Sequence, residues 1–131
     1  MTTSLKSKVC VLVVDDEPKI VALIKEALEA HHFEVVTASS GEEALVQVQS
    51  QRLDLILLDL AMPAMDGFEV LEKLKASPET SRIPVVVVTA KGDTRSIFKA
   101  RELWAWDYLV KPFDLDVLVE TVKRWAKWSI D

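Results

Sequence analysis

Cysteine, glycine and long apolar stretches are all scarce in this chain of 131 residues. Its one cysteine, Cys10, excludes an intramolecular disulfide, and a place inside an apolar run marks it as a buried thiol rather than a redox or nucleophilic group. The longest apolar run, Val9 to Val14, has six residues. That is far below the roughly 18 that a membrane helix needs, and no signal-like region follows the first residues. A soluble, cytoplasmic protein is expected, with no membrane contact. With only three glycines, no GxGxxG follows the first apolar run and no GxxxxGK[ST] occurs; dinucleotide and nucleoside triphosphate sites are disfavoured accordingly. Basic clusters are missing too. Lys and Arg number 16 against 21 Asp and Glu, a net charge of -5, with 8 basic and 14 acidic residues before position 91. Direct nucleic-acid binding, which requires gathered cations, has little support.

What the chain does have is a regular alternation. Half of it is apolar and 28% is charged, the composition of one globular domain, with no linked effector module inside it. Five short runs are strand-like: VCVLVV ending at Val14, FEVVTA from Phe33, LDLILL from Leu53, VVVVT from Val85 and WDYLV from Trp106. Their β-branched content suits strands covered on both faces. Between them lie segments at helical spacing. Pro18 opens the first, with Ile20, Leu23, Ile24, Ala27 and Leu28 as its apolar stripe. Ser40 and Glu43 form a capping box for the second. Phe68, Leu71 and Leu74 mark the third, stopped by Pro78, and the fourth runs from Thr94 to Leu103. Asp114 caps the fifth, which carries Leu115, Leu118, Val122 and Trp125 at the i, i+3 and i+4 positions. Five βα units are too few for an eightfold barrel and match a doubly wound parallel sheet in the α/β class.

Ligands of such sheets bind beyond the carboxyl ends of the strands. Asp15, Asp16 and Glu17 follow the first strand and Asp59 the third. Carboxylates converging there repel one another unless a cation or shared proton offsets them. An all-oxygen set of this kind suits Mg²⁺. Thr89 closes the fourth strand with a hydroxyl, and Lys111 follows the fifth with an ammonium. Together these groups are organised for phosphoryl transfer. Asp59 is the expected acceptor, because it stands alone on its strand end, whereas Asp15 and Asp16 suit a metal-holding pair, the first through water. Pro63 rigidifies the loop after Asp59, and Gly67 permits a close approach or an unusual dihedral where the third helix begins. Asp66 suits a cap. His31 and His32 read as helix-end and loop residues.

The segments VLVVDDEP from Val11, DLILLDLAMPAMDGFEVL from Asp54, PVVVVTA from Pro84 and DYLVKPF from Asp107 resemble the receiver domain of bacterial two-component response regulators, of the single-domain chemotaxis-regulator type. The resemblance spans residues 8–127, with 1–7 as an extension and 128–131 as a tail. It implies a flavodoxin-like five-stranded sheet in order 2-1-3-4-5 flanked by five helices. It also implies a signalling switch whose Asp59 takes a phosphoryl group from a phosphohistidine of a sensor histidine kinase or histidine phosphotransfer protein, with Mg²⁺. Asp16, Asp59 and the Ala61 carbonyl then match the metal ligands and Asp15 their water-mediated supporter. Thr89 matches the switch hydroxyl, Lys111 the phosphate-contacting lysine and Tyr108 the aromatic that changes rotamer. A cis bond at Lys111–Pro112 is expected. Such a protein is no conventional enzyme; it catalyses its own phosphoryl uptake and assists its own dephosphorylation. Its output goes through helix four, strand five and helix five to a downstream protein or linked effector domain.

Several positions depart from that pattern. Trp104 stands where relatives usually have Gly at the end of helix four, so the helix terminus should be rearranged or the Trp used elsewhere. The four Trp, at 104, 106, 125 and 128, complete the core in one reading; in another, Trp104 and Trp106 anchor a homodimer or partner surface; a third is an engineered or ligand-binding origin. Lys91 and Ala61 match positions where that family tunes access of water to an acyl phosphate; Lys91 either shields the phosphate or simply extends into solvent. Two other functions remain open at this stage: a constitutive interaction or dimerisation domain with an unused acidic site, and a Mg-dependent phosphohydrolase with an Asp nucleophile.

Overall fold

The computed structural model describes residues 8–126. Strands and helices alternate without exception: β1 (Cys10–Val14), α1 (Pro18–Ala30), β2 (Glu34–Ala38), α2 (Gly41–Ser50), β3 (Leu55–Leu58), α3 (Gly67–Ala76), β4 (Val85–Thr89), α4 (Thr94–Glu102), β5 (Asp107–Val110) and α5 (Leu115–Ala126). All pairings are parallel. The sheet order is β2-β1-β3-β4-β5, the doubly wound arrangement with its switch point between β1 and β3. β1, β3 and β4 are buried along their whole length, as expected of central strands with helices on both faces.

Alternation along each strand divides the core in two. Leu12, Val14, Ile56, Leu58, Val85 and Val87 face α2, α3 and α4. Val11, Val13, Leu55, Leu57, Val86 and Val88 face α1 and α5. Local chemistry sets the helix ends. The Ser40 hydroxyl accepts from the Glu43 N–H at 3.1 Å, as expected of a cap, but the Glu43 carboxylate accepts from the Ser39 N–H, at 2.6 Å, rather than from that of Ser40. Asp66 caps α3 through the Glu69 N–H, and Asp114 accepts from the Asp116 N–H at the start of α5.

Two further expectations need correction. Leu23 belongs to the predicted α1 stripe but is 43% exposed. Trp104 does take a positive φ, 69°, and the end of α4 is not rearranged. The Ala105 N–H bonds to the Ala100 carbonyl and the Trp104 N–H to the Arg101 carbonyl, each at 3.0 Å, the paired bonds of a Schellman ending. The side chain escapes crowding by pointing outward at 73% exposure, so Trp104 does not complete the core. Trp106 and Trp125 are half-buried and meet edge to face at 5.5 Å, while Trp128 lies outside the described residues. Among the described residues, no helix is long and apolar enough to cross a membrane.

Candidate functional site

Strand register brings the carboxylates together. Val14 pairs with Leu58, so the next residues, Asp15 and Asp59, leave neighbouring strands side by side. Both are buried. They are also held alike: Asp15 Oδ1 accepts from the Glu17 N–H at 2.9 Å, and Asp59 Oδ1 accepts from the Ala61 N–H at 3.1 Å, tight turns of the kind that Asp side chains favour. Each second oxygen faces Lys111, whose Nζ lies 2.7 Å from Asp15, 3.4 Å from Asp59 and 2.8 Å from Glu17. The Lys111–Pro112 bond is cis.

Gly67 shapes the rear of the site. A Cβ there would lie 2.3 Å from the Asp59 carbonyl oxygen and 2.6 Å from Leu60 Cα. Its φ is ordinary, so close approach, rather than an unusual dihedral, requires the glycine.

Burial and charge oppose each other within the cluster. Burial raises the Asp15 pKa, while hydrogen bonds from Lys111 and from the Glu17 N–H pull it back down. For Lys111 burial works to lower the pKa, but its bonds to Asp15 and Glu17 and the charge of Asp59 outweigh it and hold the ammonium protonated well above the ordinary range. Asp15, Glu17 and Asp59 present carboxylate oxygens within 4.8 Å of one another. Three negative charges against one ammonium leave an excess that an oxygen-seeking divalent cation would offset, so the donor set fits such a metal.

The predicted residues do not all join that cluster. Asp16 is exposed and lines an adjoining cleft of about 380 Å³ with Asp15, Pro18 and Lys25. Thr89 is fully buried at the end of β4, and its hydroxyl oxygen accepts from the Lys91 N–H at 3.4 Å. The Lys91 carbonyl in turn accepts from the Tyr108 hydroxyl at 2.6 Å. Burial raises the Tyr108 pKa, with Asp93 and Asp59 adding to it. Trp104 and Trp106 lie away from the carboxylates. Trp106 lines a groove of about 270 Å³ between α4 and β5 with Ile97, Arg101 and Tyr108. The sequence places Glu17 among the converging carboxylates, and the fold adds that it reaches Lys111.

Both the sequence and the fold resemble known proteins. The family profile described as the response regulator receiver domain matches residues 11–123. The phosphate regulon transcriptional regulatory protein PhoB of Rhizobium meliloti is 37% identical over 86% of the chain, which spans 50% of that protein's length. Sporulation initiation phosphotransferase F of Bacillus subtilis is 36% identical over 88% of the chain and 91% of its own length. Among solved structures, chemotaxis protein CheY4 of Vibrio cholerae superposes with a TM-score of 0.86 at 31% identity, covering 91% of this chain and 99% of that one.

Proposed function

The chain belongs to the response regulator receiver domain family, and on that footing we propose that it is a phosphorylation-dependent signalling switch with Asp59 as its phosphoacceptor. The observation that carries this reading is the meeting of Asp59, Asp15 and Lys111 in one buried cluster at the carboxyl ends of β1, β3 and β5. A carboxylate oxygen of Asp59 attacks phosphorus and the P–N bond of a donor phosphohistidine breaks. Its electron pair returns to the imidazole, and an acyl phosphate forms. Lys111 meets the charge gathered on the phosphoryl oxygens. Thr89 keeps its O–H free to donate, because its oxygen is the acceptor for the Lys91 N–H. A divalent cation such as Mg²⁺, held by Asp16, Asp59 and the Ala61 carbonyl with Asp15 supporting through water, would draw charge from those oxygens.

The donor is a histidine kinase or histidine phosphotransfer protein, a reading supported by the fold shared with a chemotaxis protein and with the signal receiver domain of a signal transduction histidine kinase. The face formed by α4, β5 and α5 carries the output to a downstream protein, a linked effector or a second copy, and Lys91 tunes the lifetime of the phosphorylated state. Intact-mass measurement after phosphoramidate and Mg²⁺ tests the central step. One phosphoryl mass should appear on the parent and none on Asp59→Asn; equal labelling of both would remove Asp59 from this role.

A further inference from the structure

The Lys111 ammonium has three N–H donors and faces three carboxylates, at 2.7 Å from Asp15, 2.8 Å from Glu17 and 3.4 Å from Asp59. Every donor is therefore engaged before a phosphoryl group arrives, and the longest contact is the one to the acceptor. One bond has to be given up for Lys111 to reach a phosphoryl oxygen. Burial decides which. The Asp15 and Asp59 side chains are 3% and 4% exposed, whereas Glu17 is 60% exposed. Separating Lys111 from a buried carboxylate strands a charge away from water, while Glu17 regains hydration as it lets go. The Glu17 backbone is held by its N–H bond to Asp15 Oδ1, and its side chain makes no capping bond to α1.

We infer that Glu17 is a positioning residue that draws Lys111 toward the mouth of the crevice, so that the lysine releases Glu17 as it engages an incoming phosphoryl group. This rests on Asp59 being the phosphoacceptor and assigns a restraint on that same step. Glu17 slows uptake by occupying the lysine, beyond any general repulsion of an anionic donor.

A double-mutant cycle separates the two effects. Phosphorylation by phosphoramidate should be about two- to fivefold faster in Glu17→Gln than in the parent, the factor that one exposed ion pair supports. In a Lys111→Gln background the same substitution should change the rate little. Equal acceleration in both backgrounds reduces Glu17 to a bystander charge and overturns the inference. A second readout needs no phosphoryl transfer: the ¹H–¹⁵N signal of the Lys111 ammonium in metal-free protein should move in Glu17→Gln. An unmoved signal likewise overturns it. A parent that accepts no phosphoryl group removes the acceptor reading instead, and the ammonium signal still decides whether Glu17 holds the lysine.

Discussion

Trp104 holds a left-handed backbone conformation, φ 69°, that disfavours any side chain by about 1–2 kcal/mol. Two carbonyl bonds close the turn around it, and the exposed indole meets little resistance. The ordinary order of helix-forming residues should therefore invert here: Trp104→Gly should be more stable than Trp104→Ala by about 1 kcal/mol, read from urea midpoints. Coincident midpoints would show that the backbone carries no strain. This position also marks the limit of what single residues disclose. Position 104 was legible as a helix end, but not the way it ends, because the bonds from Trp104 and Ala105 depend on chain geometry that residue identity does not encode. His32 repeats the solution after α1, with φ 71° and the Phe33 N–H bonded to the Leu28 carbonyl. There the match of Phe33 and Leu28, both in the core, supplies the hydrophobic contact that accompanies such endings.

At the level of elements, the strands were the most legible part, since runs such as VVVVT have no polar face to place and must be covered on both sides. Their edges were less so: Phe33, Leu53 and Trp106 look strand-like, yet they lie outside β2, β3 and β5 because burial continues into the flanking turns. The β3–α3 connection shows how an element positions chemistry. Asp59 is aimed by a loop that returns against its own backbone at Gly67, where the N–H bonds to the Leu60 carbonyl at 3.0 Å. A methyl group there would overlap the Asp59 carbonyl, and nothing flexible stands in its way to yield. Gly67→Ala should lose about 1–3 kcal/mol of stability and slow phosphorylation of Asp59 beyond what Leu74→Ala does at comparable stability. Uptake equal to that of the Leu74 variant would mean that the loop does not aim the carboxylate.

Across the whole molecule, strand order is what brings the ends of β1, β3 and β5 into one cluster; the doubly wound class was inferable from the count of βα units, and the order from resemblance. The cluster's membership was only partly so: that Glu17 reaches Lys111 follows from side-chain reach, which spacing leaves open. The same holds for the path away from the site. Thr89, the Lys91 backbone and Tyr108 form a hydrogen-bonded sequence from the buried end of β4 to the groove beside α4. If the Thr89 hydroxyl turns to a phosphoryl oxygen on Asp59, its hold on Lys91 weakens, and the carbonyl that anchors Tyr108 moves with the same backbone. A population shift between two arrangements is enough to carry this outward. Removing the hydroxyl in Thr89→Ala should leave uptake of the phosphoryl group nearly intact. The loss of one hydrogen bond to a charged group should weaken the coupling by about 1.5–3 kcal/mol. Because Tyr108 is the one tyrosine in the chain, 3-fluorotyrosine labelling gives a single ¹⁹F resonance to follow. That resonance should move on phosphorylation of the parent and move much less in Thr89→Ala; equal displacement in both proteins would place the link between site and surface on some other route.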